Sequence, residues 1–314
     1  MKKIVILSTA LLMSTALLFT SCKKVKDDSN SSTTENTQES KIQSDDQANV
    51  AGVMDEATTD ASTSVENVIA VTGDNIVNHF LSPCNSTITY DTLNAVRTLT
   101  ITYNGANCAG TFTRTGSITI SIPAGDKWKN AGAKLTISYN ALKFTRIATQ
   151  KSITVNGSEV VTNVTGGLLY QLSTIGTITH TITSAGMTIT FDDGTQRSWQ
   201  VAKKRVFTYS GGVVISTSGT HTDGSTTGIS EWGTNRLGNP FVTEIVDPLV
   251  IRQDCAFRLT SGHVKHSRLI RTVDVVFGLD ANGNPTSCPG AGYYYMKLTW
   301  VNVLGATTTV ILPY

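Results

Sequence analysis

The sequence predicts an all-β domain, an antiparallel meander of about twelve strands closed into a barrel or a two-sheet sandwich. Three observations carry this. Beyond residue 67 the chain alternates apolar residues with Thr or Ser, short Gly-containing turns separate the alternating runs, and no ten-residue stretch there keeps a helical period. In order, Leu99, Ile101 and Tyr103 interleave with Thr98, Thr100 and Thr102; Ile118, Ile120 and Ile122 with Thr119 and Ser121; Leu135, Ile137 and Tyr139 with Thr136 and Ser138. The pattern returns over 178–182, 187–191, 273–277, 296–300 and 308–312. One apolar and one hydroxylated face is the signature of a half-buried strand, and β-branched Thr favours the extended chain. Asn104-Gly105, Asn156-Gly157, Asp193-Gly194, Asp223-Gly224 and Asn282-Gly283 mark the hairpin turns. About 250 residues fit one such domain, 67–314, with Val65 to Leu81 as a short helix or irregular lead-in.

The amino terminus reads differently. Lys2 and Lys3 precede an apolar run from Ile4 to Phe19 and the small pair Thr20-Ser21, which together make a signal peptide over 1–21. Cys22 follows at once, the pattern of a bacterial lipoprotein whose cysteine thiol receives a diacylglyceryl group. Phe19 stands where that pattern usually has Leu. Acylation at two or more positions holds a protein durably on a membrane. Residues 22–66 are rich in Ser, Thr, Asp, Glu, Asn and Gln and nearly free of large apolar side chains, so they are expected to form a disordered acidic tether. Such a coil reaches roughly 35–40 Å, and its removal should leave the domain intact.

Charge divides the same way. Residues 22–66 hold four Lys against ten Asp and Glu, net −6, while 67–314 hold nineteen basic against thirteen acidic side chains, net +6. A basic domain on an acidic leash could favour anionic lipids, acidic glycans or its own tether; a solvated surface without a charged partner is the plainer reading. Lys203-Lys204-Arg205 is the only basic triplet, and Lys265, His266, Arg268 and Arg271 are spread along one strand, so nucleic acid is not an expected partner.

Cys84, Cys108, Cys255 and Cys288 leave an even number of thiols for an oxidising compartment, hence two disulfides with three possible pairings. Sequence proximity favours Cys84–Cys108 and Cys255–Cys288. The stretch Cys84-Asn85-Ser86-Thr87-Ile88-Thr89, then Arg97 to Ile101, Asn107-Cys108-Ala109-Gly110 and Arg114-Thr115-Gly116-Ser117-Ile118-Thr119-Ile120 resembles a recurrent group of Bacteroidetes cell-envelope lipoproteins. Gly233 to Phe241, Ile245 to Leu249, Ser261-Gly262 and Val273-Asp274 continue the likeness, with the four cysteines in matching places; Asn104 to Asn107 is looser than the group's turn. Lys26-Asp27-Asp28 resembles the short export signal of surface lipoproteins of that phylum. The resemblance implies a protein of the cell envelope, anchored in the outer membrane with a candidate surface exposure. It implies no active site.

Searches for chemistry end thin. Gly224-Ser225-Thr226-Thr227-Gly228 has the wrong frame for a nucleophile elbow, and Asp192-Asp193-Gly194 has the composition of a turn. His263 and His266 would point to opposite faces of a strand and read as separate surface histidines. Asp280 to Asn284 lacks the Gly and terminal Glu of a calcium loop. No metal or cofactor is therefore expected. Trp300 shares parity with Met296 and Leu298 and belongs in the core, Trp199, Trp232 and Tyr293 to Tyr295 are open, and Trp128, between Lys127 and Lys129, is the expected exposed ring and candidate ligand contact. The sequence thus favours a lipid-anchored, non-catalytic binding or structural module. Its alternatives are a carrier with an unfilled apolar barrel, a glycan-binding surface protein, and, further off, a polysaccharide-active enzyme.

Overall fold

The computed structural model describes residues 29–68, 82–91, 94, 96–184, 186–255, 258–268, 271–286, 294–301 and 305–314. Cys22, Lys26 to Asp28, Cys288 and most of the 65–81 lead-in lie outside them. The alternating runs form one antiparallel sheet. Its sixteen described strands are β1 (Ser86–Asp91), β2 (Val96–Ala106), β3 (Phe112–Pro123), β4 (Ala133–Arg146), β5 (Ser152–Asn163), β6 (Thr177–Thr183), β7 (Met187–Phe191), β8 (Gln196–Tyr209), β9 (Val213–Gly219), β10 (His221–Asp223), β11 (Thr226–Thr234), β12 (Pro240–Arg252), β13 (Arg258–Arg268), β14 (Arg271–Leu279), β15 (Tyr295–Val301) and β16 (Thr307–Pro313).

The sheet is a meander with two split lanes. β6 and β7 lie end to end between β5 and β8, β6 on Val160–Asn163 and β7 on Ile153–Gly157 of β5. β9 and β11 share the next lane, between β8 and β12. With one strand of each split lane and the short β10, which pairs only with β11, set aside, the sixteen strands reduce to thirteen lanes, close to the twelve or so expected. The described pairings end at β1 and β16 and do not close a barrel; the sheet bends over separate cores, as a sandwich does.

Parity places the cores. Leu99, Ile101 and Tyr103 of β2, Ile118, Ile120 and Ile122 of β3, and Leu135, Ile137 and Tyr139 of β4 are all buried, as their alternation requires. After Tyr139 the buried parity of β4 flips to Leu142 and Phe144, because Ala141 takes a positive φ of 47° and inserts a bulge. Opposite it, a Cβ on Gly116 (φ 90°) would sit 2.2 Å from the Ala141 carbonyl oxygen, so only glycine fits there. A second core joins Ile245 and Val264 to Val273, Val275, Phe277, Met296, Leu298 and Trp300, which puts Trp300 where its parity places it.

The amino-terminal segment corrects the expectation of a tether. Residues Ser29–Glu66 form a single helix, α1, and its second half enters the main core. Val50, Val53, Met54, Ala57, Ala61 and Val65 recur every three or four residues and are buried against β2 to β8. From Val53 to Glu66 no residue of α1 is exposed, although Asp55, Glu56, Thr59, Asp60 and Thr63 are only half-buried. The stripe consists of small residues, which add little to a hydrophobicity count yet let a helix sit close to a sheet. Two hydroxyls here reach back to the helix: Thr58 shares its proton between the Met54 carbonyl at 2.7 Å and Glu159 of β5, and Thr63 donates to the Thr59 carbonyl at 2.9 Å. The boundary expected at residue 66 therefore does not exist: the folded unit begins by Asp46 at the latest.

Replacing Ala61, which is fully buried, tests this. Ala61→Leu should overpack the helix–sheet contact and destabilise the domain by about 1–3 kcal/mol, read as a lower urea midpoint. An unchanged midpoint would restore the free tether.

Candidate functional site

Sequence parity also sends charge inward. Arg97 precedes Leu99 on the buried face of β2, Arg114 shares parity with Ile118 on β3, Glu159 with Val161 on β5, His180 with Ile178 and Ile182 on β6, and Lys203 and Arg205 with Phe207 on β8. All are at most 5% exposed. Two of the three residues in the basic triplet thus face the core, and only Lys204 faces solvent. Buried charges persist only when paired and hydrogen-bonded, and α1 supplies many of the partners. Its enclosed half carries Asp46, Asp55, Glu56, Asp60 and Glu66 and no basic residue.

The contacts run the length of the helix. Where α1 enters, Arg236 in the β11–β12 turn grips Asp46 through Nε at 2.8 Å and through Nη2, with its guanidinium 3.6 Å above the Phe191 ring. Arg146 at the end of β4 donates to Asn49. Arg205 pairs with Asp55. Arg114 donates from Nη1 to Glu56 at 2.9 Å and to Asp60 at 2.7 Å, and from Nη2 to the Cys84 carbonyl at 3.0 Å, while its guanidinium lies 4.5 Å above the Tyr103 ring. The Tyr103 hydroxyl also donates to Asp60, at 3.0 Å, and the Asn107 amide to Glu56 at 3.1 Å. At the far end Glu66 accepts the backbone N–H groups of Leu169 (2.9 Å) and Tyr170 (3.4 Å), which open a short 3-10 turn, Leu169–Gln171, and the one-turn helix α2, Leu172–Ile175.

Three further buried groups have partners on the sheet, and one of them also touches the helix. Glu159 accepts from the Tyr139 hydroxyl at 2.7 Å and from Thr58 at 2.9 Å. Glu231 accepts from Lys203 at 2.5 Å and from the Trp199 indole at 2.8 Å, with Arg197 at 3.6 Å. His266 shares a hydrogen bond with Thr243 at 3.0 Å.

Burial sets the protonation chemistry. It pushes Asp60 up to about 6 despite Arg114, and Glu66 up to about 7 despite the two amides it accepts. Burial also raises Asp46 and Glu159, lowers Arg197 to about 10, and depresses His180 to about 3 and His266 to about 4. These groups are sealed rather than presented. A crevice between Thr58 and Ser62 of α1 and Val161, His180, Arg205 and Phe207 of the sheet has a volume of about 10 Å³, room for one water.

Several sequence expectations meet this geometry. Cys84 and Cys108 are bonded, with Cα atoms 5.1 Å apart, and Cys255 is also disulfide-bonded. Its expected partner Cys288 lies outside the described residues, as does Cys22. Trp128 is corrected: it is fully buried, its ring 5.0 Å from that of His180, and its carbonyl accepts from Asn163 at 2.9 Å. Lys127 and Lys129 are half-buried, so they frame no exposed ring for a sugar. His263 and His266 do face opposite sides of β13, but His266 is buried, not on the surface; His263 bonds Asp274 at 2.9 Å. Asp193 and Asp280 accept backbone N–H groups of their own turns, as hairpin residues do. Trp199 is buried, and Trp232 stacks on His221 with ring centroids 4.2 Å apart. Among the described residues no three His, Cys, Asp or Glu side chains are grouped to hold a metal, and no helix is long and apolar enough to cross a membrane. The inward charges are what sequence reasoning missed, although parity alone marks each of them as out of place on an apolar face.

No family model matches the chain, and neither the curated proteins nor the solved structures contain a match to it.

Glu66 gives a test with a definite sign. Its carboxyl binds a proton more tightly folded (about 7) than at its ordinary 4.5, so its burial costs stability above pH 7, and the cost vanishes below pH 4.5. Glu66→Gln keeps an acceptor for Leu169 and Tyr170 without the charge. The variant should melt a few degrees above the parent at pH 8 and level with it at pH 4. Comparing the two proteins cancels His180 and His266, whose depressed values remove stability as pH falls below 6.5. A variant less stable at pH 8 would contradict this assignment.

Proposed function

We propose that this chain is a lipid-anchored protein of the cell envelope whose β domain binds or spaces other envelope components and does not catalyse. The observation that carries the reading is α1. The segment after Cys22 is a helix from Ser29, and its second half is a core element of the domain. An anchor at Cys22 would therefore stand seven residues ahead of a helix that enters the core. Residues 29–45, ahead of the enclosed part, span about 25 Å as helix, which would hold the domain off the lipid at a set distance. Acylated Cys22, the acidic export-like triplet and the four-cysteine pattern together fit an outer-membrane protein, with membrane lipid as its first partner.

The buried groups support a non-catalytic role. Asp60, Glu66 and Glu159 have raised proton affinities, a frequent mark of acid–base sites, but each is held by neighbours beneath α1 rather than in a cleft. A hydrophobic-ligand carrier would need the interior that α1 fills, and would therefore have to expel the helix.

The anchor is tested directly. Cys22→Ala should accumulate as an unprocessed precursor that no longer partitions into the detergent phase with lipoproteins. Detergent-phase partitioning that persists in this variant would rule out lipidation at Cys22.

A further inference from the structure

The seat of α1 is built on a disulfide. Arg114 is 2% exposed and has two jobs: Nη1 holds Glu56 and Asp60 of the helix, and Nη2 donates to the carbonyl of Cys84. On the other side of the same bond, Asn107 directly precedes Cys108. Its amide N–H donates to Glu56, while its Oδ1 accepts the N–H groups of Thr111 and Phe112 and so fixes the β2–β3 turn. The Cys84 amide points at Cys108 Sγ, 3.3 Å away. Both residues that clamp the middle of α1 are thus positioned by the two halves of the Cys84–Cys108 bridge. β1 is an edge strand paired only with β2 among the described strands, and beside the bridge Cys84 is held through Asn85, which accepts the Asn104 N–H at 2.9 Å and donates to the Ala106 carbonyl at 2.7 Å. The bridge is also reachable, Cys108 being exposed on its turn.

We propose that the Cys84–Cys108 disulfide is a redox latch for α1, so that the anchor-bearing helix is firmly seated in the sheet only when this bond is formed. Opening is a two-electron exchange with a dithiol, either a small molecule or a thiol–disulfide oxidoreductase. A thiolate attacks Cys108 Sγ, the S–S bond breaks and Cys84 leaves as thiolate. The reductant's second thiol then displaces Cys108, and protons complete two cysteine thiols beside the reductant's new disulfide. With the bridge open, the Cys84 carbonyl no longer orients Arg114, Asn107 loses its fixed turn, and Glu56 and Asp60 lose their partners. Asp60, already pushed up to about 6 by burial, then has the strongest reason to return to water. In a reducing compartment the helix would stay loose behind its signal segment, and it would dock once the chain reaches an oxidising one. Only this timing rests on the proposed export; the coupling is measurable on purified protein with no lipid step. Arg114 is a positioning residue in this scheme.

Amide hydrogen exchange on the full-length protein, oxidised and after treatment with a dithiol, tests the latch. Peptides covering 46–66 should exchange about tenfold faster after reduction, while peptides of β13 to β15 keep their protection. Cys84→Ser/Cys108→Ser, which leaves the bridge at Cys255 intact, should reproduce this loss without reductant and assigns it to the first disulfide. Arg114→Met should do the same with both bridges formed, which keeps the test available if the double serine variant fails to fold. Unchanged protection of 46–66 in the reduced protein or in Arg114→Met overturns the proposal. So does simultaneous loss of protection in α1 and β13 to β15, because the bond would then be a staple of the whole domain.

Discussion

Compensation of buried positive charge is the constraint on which the other features depend. β3 and β8 direct Arg114, Lys203 and Arg205 into the core, and the β11–β12 turn leans Arg236 over its mouth. A buried guanidinium without a counter-ion is strongly destabilising, whereas one with a well-placed carboxylate is close to neutral. Glu231 serves Lys203, but Arg114, Arg205 and Arg236 draw their carboxylates from α1. The sheet as written cannot be a complete domain without the helix.

This arrangement favours specificity over raw stability. An apolar helix would fill the same space with less desolvation, yet residues 46–66 of α1 bring five carboxylates and buried Thr and Ser. Each acid meets its own partners at its own depth, which favours a single register of the helix in the sheet. Sliding by one turn would strand several charges at once. The small stripe from Val50 to Val65 gives close approach, and the acid–base contacts give position. Raised proton affinities at Asp60 and Glu66 record what that position costs, since neither carboxylate is fully repaid by its hydrogen bonds.

For a chain lipidated at Cys22, as proposed, the consequence would be mechanical. A flexible leash would let the domain sample any orientation above the lipid. α1 begins seven residues after Cys22 and ends inside the core, where Arg236, Arg205 and Arg114 hold it in turn, so these contacts would bear a pull applied through the helix. The Cys84–Cys108 bridge stands behind the last of these, which ties the covalent chemistry of the domain to the seating of α1.

How much of this was legible in the sequence depends on the range of the interaction. Strand identity, inward parity, hairpin turns, the core place of Trp300 and the proximity pairing of Cys84 with Cys108 all follow from local patterns, because alternation and turn chemistry act over a few residues. The opposite charges of the first 66 residues and the remainder were also readable, and the tether was among the partners they suggested. The burial of Asp46 to Glu66, by contrast, could not be seen, since a polar helix with an Ala and Val stripe has no core of its own and is buried only where β2 to β8 pack against it. The same packing buries Trp128, whose lysine neighbours suggested solvent, and turns Lys203 and Arg205 from a surface patch into interior ion partners. The sequence by itself determined which segments are strands and which face of each is apolar, because those depend on neighbours along the chain. Only the tertiary structure decided what fills the space between them, because that depends on charges up to 190 residues apart meeting in one interior.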